Sequence, residues 1–413
     1  MQRIVRRAAL CVSLALLAIP SLAGQTLSPA WVELGEGGQP IVRIVIEAQR
    51  GCPILQVDGV SRPMAVRQPL PNGLQPVCQA AIPASAKSAA VNEQVLALPV
   101  ANPSRVAVIG DTGCRIKGAR VQDCNDITKW PFHQVAGDAS REHPELVIHV
   151  GDYLYREERC PQGSEAKCGD TPAGDNWDAW NADFFTPATE LLKAAPWAFS
   201  RGNHEDCARS WRGWFYYLDP RDWDGKCQDY SKAYVVQLGA FSIAMLDSSA
   251  VREDDANEPQ IAIYRAELAS LHLENAWLVD HHPFWGFKTD QVGSMPVALA
   301  VPLEEAWKRA GPQGISLILS GHIHVFEFVT LDGAYPPQVV AGDGGTDLAL
   351  PFTSSVHGVG IRGASVQSGQ SLDQFGYTFL VRKGSTWQLS LMNHSHKPLL
   401  TCSVSDRPTH CER

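Results

Sequence analysis

Between residues 105 and 341 the chain repeats one pattern: a short apolar run, a polar break, then a stretch whose apolar positions recur at helical spacing. The apolar runs predict strands at Arg105 to Gly110, Glu145 to Val150, Trp197 to Arg201, Ala276 to Asp280, Ile315 to Ser320 and Gln338 to Ala341. Hairpins are predicted from Tyr234 to Leu246 and from Tyr377 to Met392. Helical spacing occurs around Asp175 to Ala195, Gln260 to Leu273 and Pro302 to Ala310. Strands alternating with helices predict α/β architecture over residues 104–413. Upstream the texture changes. From Thr26 to about Pro103, short apolar or alternating runs such as Ile41 to Ile46 are separated by Gly, Pro and Asn. This predicts a small β-rich domain over residues 24–103, closed by a linker at Ala101, Asn102 and Pro103.

The first 23 residues stand apart. Arg3, Arg6 and Arg7 precede an apolar run from Ala8 to Ile19, then Pro20 and the stretch Ser21, Leu22, Ala23, which is the layout of a secretory signal peptide. That run is too short to span a bilayer, and no later stretch approaches the roughly 18 apolar residues a span requires, so no membrane anchor is expected. Of the 11 cysteines, all but Cys11 lie beyond this leader, in sequence-close couples. In an oxidising compartment the simplest pairing joins each to its neighbour: Cys52 to Cys78, Cys114 to Cys124, Cys160 to Cys168, Cys207 to Cys227 and Cys402 to Cys411. No two stand at the two-residue spacing of a zinc hairpin, which argues against thiolate metal ligation. A secreted or periplasmic location is expected.

A chain 45% hydrophobic and 19% charged is not disordered. With 35 basic against 44 acidic residues and a net charge of −9, it will not bind nucleic acid by bulk charge. Any site that handles phosphate must therefore carry its own local positive charge.

The candidate chemistry stands at the strand ends. Asp111 follows Ile109 and Gly110, Asp152 follows Val150 and Gly151, and Asn203 and His204 follow Gly202. His281 and His282 follow Asp280, and His322 and His324 follow Ser320 and Gly321. Sites in open α/β sheets form beyond the carboxyl ends of strands, so side chains far apart in sequence can converge there. Singly, a Gly-Asp after a strand is an ordinary turn or helix cap. Five strands in succession ending in metal-ligand chemistry are not.

These blocks resemble the calcineurin-like metallophosphoesterase superfamily, and within it most nearly the purple acid phosphatases. The shared blocks are an aspartate at a strand end, Gly-Asp, Gly202-Asn203-His204-Glu205, a histidine, and Gly321-His322-Ile323-His324. Most of the superfamily begins with Asp-x-His, where this chain has Asp111, Thr112 and Gly113. Purple acid phosphatases share that form and replace the lost histidine with the tyrosine of Gly-Asp-x-x-Tyr, here Tyr155. The resemblance covers about residues 105 to 345 and implies a two-sheet core flanked by helices. It also implies two metal ions, with Asp111, Tyr155 and His324 on one, Asn203, His281 and His322 on the other, and Asp152 bridging. His282 spaces almost as well as His281, but His281 stands in the His-x-Pro pattern and is preferred. His282 is then expected at substrate or behind a ligand, and His204 at the phosphate or leaving group.

Carboxylates and a phenolate suit a hard ferric ion, while imidazoles and an amide suit zinc, manganese or ferrous iron. A phenol titrates near ~10 when free, so only a strongly acidic cation would hold Tyr155 ionised. The implied activity is hydrolysis of small phosphate monoesters by metal-activated hydroxide. A phosphodiesterase or nucleotidase with the same metals is the first alternative, and a secreted binding protein without turnover the second. Gly358 to Gly363 matches a dinucleotide glycine pattern but lacks its leading strand and ribose-binding acid. Trp211 to Tyr217 either walls the substrate pocket or packs in the core, and Asn393 to His396 is expected at the surface or behind a ligand rather than as a ligand pair. Phe328 replaces the arginine that often follows Glu327 in this family.

Overall fold

A computed structural model of the protein describes residues 26–413, apart from 254, 272, 290–296, 299, 334, 362 and 405–410. The expected leader at residues 1–23 lies outside the described residues. Two large sheets pack face to face. One has parallel strands Arg105–Ile109, Leu146–His149 and Trp197–Phe199 at its centre, and the C-terminal strands Gly376–Lys383, Thr386–Asn393 and Pro398–Ser403 extend it antiparallel beyond Arg105–Ile109. The other runs in parallel through Phe241–Met245, Ala276–Val279, Ile315–Ser320 and Gln338–Ala341, with antiparallel strands at both edges.

The continuous apolar runs follow from burial on both faces of each strand. Val106 and Val108 point into the core between the sheets, together with Ile148, Val279 and Leu319. Ala107 and Ile109, one residue out of phase, face the helical layer that contains Phe132, Val135, Leu191 and Leu192. On the far side, Leu278 and Ile318 pack against helices Glu258–Ser270 and Val301–Ala310. The result is a helix, sheet, sheet, helix sandwich in which every central strand terminates at the same end.

The 24–103 segment is strand-rich, but its strands divide. Trp31–Leu34 pairs parallel with Trp197–Phe199 and antiparallel with Pro40–Val45, which carries Val77–Ala81 and then Ala65–Val66, so that with Cys411–Glu412 at the opposite edge the first sheet has eleven strands among the described residues. Ile54–Val57, Val60–Pro63, Ala89–Val91 and Gln94–Val95 form a small sheet of their own. The buried Arg43 locks the join, with Glu33 at 2.7 Å and the Tyr217 and Asp219 carbonyls at 2.7 and 2.8 Å.

The long helical stretch expected from Asp175 to Ala195 is instead three short pieces, Trp177–Trp180, Asn181–Phe185 and Thr189–Ala194. The helix Phe132–Arg141 and the strands Phe326–Leu331 and Ala364–Leu372 are additional to the expected elements. All five disulfides join the neighbours expected. Among the described residues no helix is long and apolar enough to cross a membrane.

Candidate metal centre

The loops that leave the parallel strands fold over one end of the sandwich, and their backbones are unusual. Asp111, Asp152 and His322 all have positive φ, at 54°, 62° and 72°. An L-residue held there costs about 1 kcal/mol or more, a price met where the surrounding structure aims a side chain. Gly151, at φ 103°, lets its loop pass against the ring of His281, where a Cβ would lie 2.5 Å from Nδ1.

On one side of the cluster Tyr155 Oη lies 3.0 Å from Asp111 Oδ1, 2.7 Å from Asp152 Oδ2 and 2.9 Å from His324 Nε2. A phenol has one proton and can donate to only one of the three. His324 directs its Nδ1 at the Asp347 carbonyl, 2.8 Å away, which leaves the Nε2 lone pair facing the cluster. On the other side His281 directs Nδ1 at the Val150 carbonyl, also 2.8 Å away. Its Nε2 faces Asn203 Oδ1 at 3.0 Å and Asp152 Oδ2 at 3.3 Å. His322 Nδ1 is 3.0 Å from the same Asn203 oxygen.

Lone pairs thus converge from two directions, with Asp152 in contact with both groups. The donor set fits a pair of cations, because positive charge between these atoms removes repulsions that protons alone leave. Burial acts to lower the pKa of His281, yet the Asp152 carboxylate, aided by Asp111, pushes it up to about 10, a measure of how strongly the cluster favours positive charge. Asp111, Asp152 and His281 offer ligand atoms close enough together for one ion.

Buried carboxylates outside the cluster hold the loops in place. Glu205 accepts from the backbone N–H groups of Gly202, Asp152, Tyr153 and Leu154 at 2.9 to 3.2 Å, and so fastens the Asp152 and Asn203 loops together. Asp183 does the same for Cys114, Tyr155 and Arg156. Ser248 Oγ accepts from both His281 N and His282 N, at 3.0 and 2.9 Å, and Glu327 accepts from Phe287 N at 2.9 Å.

His204 lies at the rim. Its ring packs 3.8 Å from that of Tyr155, its Nδ1 is 2.5 Å from Glu157 Oε1, and its Nε2 is 3.8 Å from Asp152 Oδ2. His282 is buried behind His322, with ring centroids 4.1 Å apart, and does not line the cavity above the cluster. That cavity, about 810 Å³, exposes Asp152, Asn203, His204, His322 and His324. Glu253, which no motif marks, also lines it and sits 2.8 Å from His322 Nε2. The aromatic residues Trp214 to Tyr217 belong to the core instead, where Tyr216 and Tyr217 bond to the backbone at residues 67, 75 and 77. His396 pairs at the surface with Glu142 and Asp138.

In fold the chain is similar to a purple acid phosphatase, PPD1, from yellow lupin (Lupinus luteus) seeds, with TM-score 0.58, 13% identity, and 89% of this chain and 72% of that one covered. It is also similar to PhoD, with TM-score 0.56, 10% identity, and 95% and 93% of the two chains covered. No curated relative matches in sequence. The calcineurin-like phosphoesterase model matches residues 104–326, the span from the first central strand through the last of the clustered histidines. With sandwich, strand-end loops and clustered donors in agreement, the chain belongs to the calcineurin-like phosphoesterase family.

Proposed function

We propose that the protein is a secreted phosphatase that hydrolyses phosphate monoesters at a pair of metal ions. The observation that carries this reading is the position of Asp152, whose Oδ2 is 2.7 Å from Tyr155 Oη and 3.3 Å from His281 Nε2. Asp111, Tyr155 and His324 would hold one ion and Asn203, His281 and His322 the other, with Asp152 shared. When bound, the ions supply charge for phosphate oxygens and lower the pKa of a water. His204, steadied by Glu157 and open to the cavity, donates a proton to the departing oxygen. His282 backs His322, and Glu253 fixes its ring from the other nitrogen. Five disulfides support an extracellular or periplasmic setting.

A monoester is favoured because the cavity wall is rich in cationic side chains, which suit the second charge of a terminal phosphate. The metal-loaded protein is expected to cleave an aryl phosphate with kcat/KM about tenfold or more above that of the corresponding bis-aryl ester. The reverse order would make it a diesterase, and no turnover of either would reduce it to a binding protein.

Iron(III) is the ion proposed beside Tyr155, since a phenolate with carboxylates is a hard donor set. The iron-loaded protein is then expected to show a visible tyrosinate-to-iron band that Tyr155→Phe abolishes. A colourless wild type with full iron occupancy would contradict the assignment.

A further inference from the structure

The protein is acidic, yet the wall of the cavity above the donors is basic. Arg115, Lys117 and Arg120 come from one small element, the hairpin Ile116–Lys117 and Arg120–Val121. Cys114–Cys124 closes its base, Arg115 and Gln122 exchange two hydrogen bonds at 2.9 Å, and Ile116 N donates to the Tyr155 carbonyl at 3.0 Å. The three cations are therefore carried on a braced platform attached to the loop of Tyr155.

They are not equally committed. Lys117 Nζ is 2.7 Å from Glu157, whereas Arg115 and Arg120 have no carboxylate within 4.0 Å among the described residues. The Arg115 guanidinium lies 5.1 Å from the centre of the Tyr155 ring, and its Nε is buried without a hydrogen-bond partner. Its one contact toward the donors is NH2 to His324 Nε2 at 3.4 Å, and that nitrogen is the lone pair assigned to the ion. Once that nitrogen is taken, Arg115 keeps a buried Nε–H without a partner and a positive charge on the cavity wall, where the nearest acidic influence is Asp347, beyond ion-pair distance. A buried donor left unpaired is destabilising, so this arrangement calls for an anion.

We propose that the physiological substrate is a compact small molecule with at least two phosphate groups. One phosphate is hydrolysed at the donor cluster, and a second is held by Arg115 and Arg120 with Lys117 beside them. Guanidinium groups match phosphate oxygens in geometry as well as charge. A simple aryl phosphate fills the first position and leaves Arg115 unpaired. Water forms the new P–O bond, the bond to the rest of the molecule breaks, and its oxygen leaves with a proton while the second phosphate stays intact. This inference rests on the phosphatase reading above.

Two measurements on the metal-loaded protein test it. Calorimetry should show methylenebisphosphonate binding at least about tenfold tighter than methylphosphonate. Arg120→Glu and Arg115→Gln should each cut that ratio about tenfold, and the ratio of kcat/KM for tripolyphosphate over an aryl phosphate should fall with it. Lys383→Glu, exposed on the C-terminal hairpin at the opposite end of the sheet, controls for net charge and should leave both ratios as in the wild type. Ratios unchanged in both arginine variants overturn the second phosphate site. Variants that lose the binding preference while no form of the protein hydrolyses either substrate leave the site standing and overturn the phosphatase reading instead.

Discussion

Asp152→Ala is expected to lower kcat/KM for an aryl phosphate by roughly a thousandfold or more, and to reduce the metal content from two ions per chain to one or none. Asp152 Oδ2 meets both donor groups, through Tyr155 Oη and His281 Nε2. Its other oxygen accepts from His204 N at 2.8 Å, so the same side chain also sets the loop bearing Asn203. On the proposed assignment, alanine removes the shared ligand and leaves Tyr155, Asp111 and His324 as one incomplete set and Asn203, His281 and His322 as another. Metal analysis, phosphate release and circular dichroism on one preparation separate loss of the centre from loss of the fold. A folded variant that keeps two ions and works within tenfold of the wild type would show that the two donor groups do not share this residue.

Most of the donor cluster was legible because Asp111, Asp152, Asn203, His281, His322 and His324 follow closely on buried strands, where the backbone turns and the apolar pattern breaks, whereas Tyr155 lies further out and came only through the resemblance of its Gly-Asp-x-x-Tyr block to a known family. Asp111 after Val108 and Ile109, or His322 after Leu319 and Ser320, is visible in a single sequence. Glu253 was not, because it lies in an irregular loop before helix Glu258–Ser270 and reaches His322 only through tertiary structure. Arg115 carries no signal either: its role depends on the ring of Tyr155 beneath it. The joining of the N-terminal strands to the first sheet was hidden for a similar reason. The parallel pairing of Glu33 with Trp197 joins strands far apart in sequence, and local periodicity says nothing about which edge a strand will find. Ala364–Leu372, only partly buried along most of its length, lacks the apolar run that marked the central strands.

Gly202→Ala is expected to lower activity about a hundredfold or more while costing about 1–3 kcal/mol of stability, because it moves the loop of Asp152 without removing any of the proposed ligands. A Cβ at this position would overlap both Oδ1 and the backbone N of Asp152. The neighbours cannot retreat freely. Glu205 holds Gly202, Asp152, Tyr153 and Leu154 by their N–H groups, and Asp111 N and Thr112 N donate to the Gly151 and Asp152 carbonyls at 3.0 and 3.1 Å. A shift large enough to admit a methyl group therefore separates Asp152 from either Tyr155 or His281. Gly360→Ala is the matched control: no atom lies within 4 Å of a Cβ there and its φ is not positive, so stability should change by less than about 0.5 kcal/mol with activity unaltered. Denaturant unfolding with kcat and metal content, measured on both variants, reads the difference. If Gly202→Ala loses stability but keeps full turnover, the loop is not what sets the spacing of the centre. If it loses turnover and keeps its two ions, the fault lies in the alignment of His204 and the cavity above them.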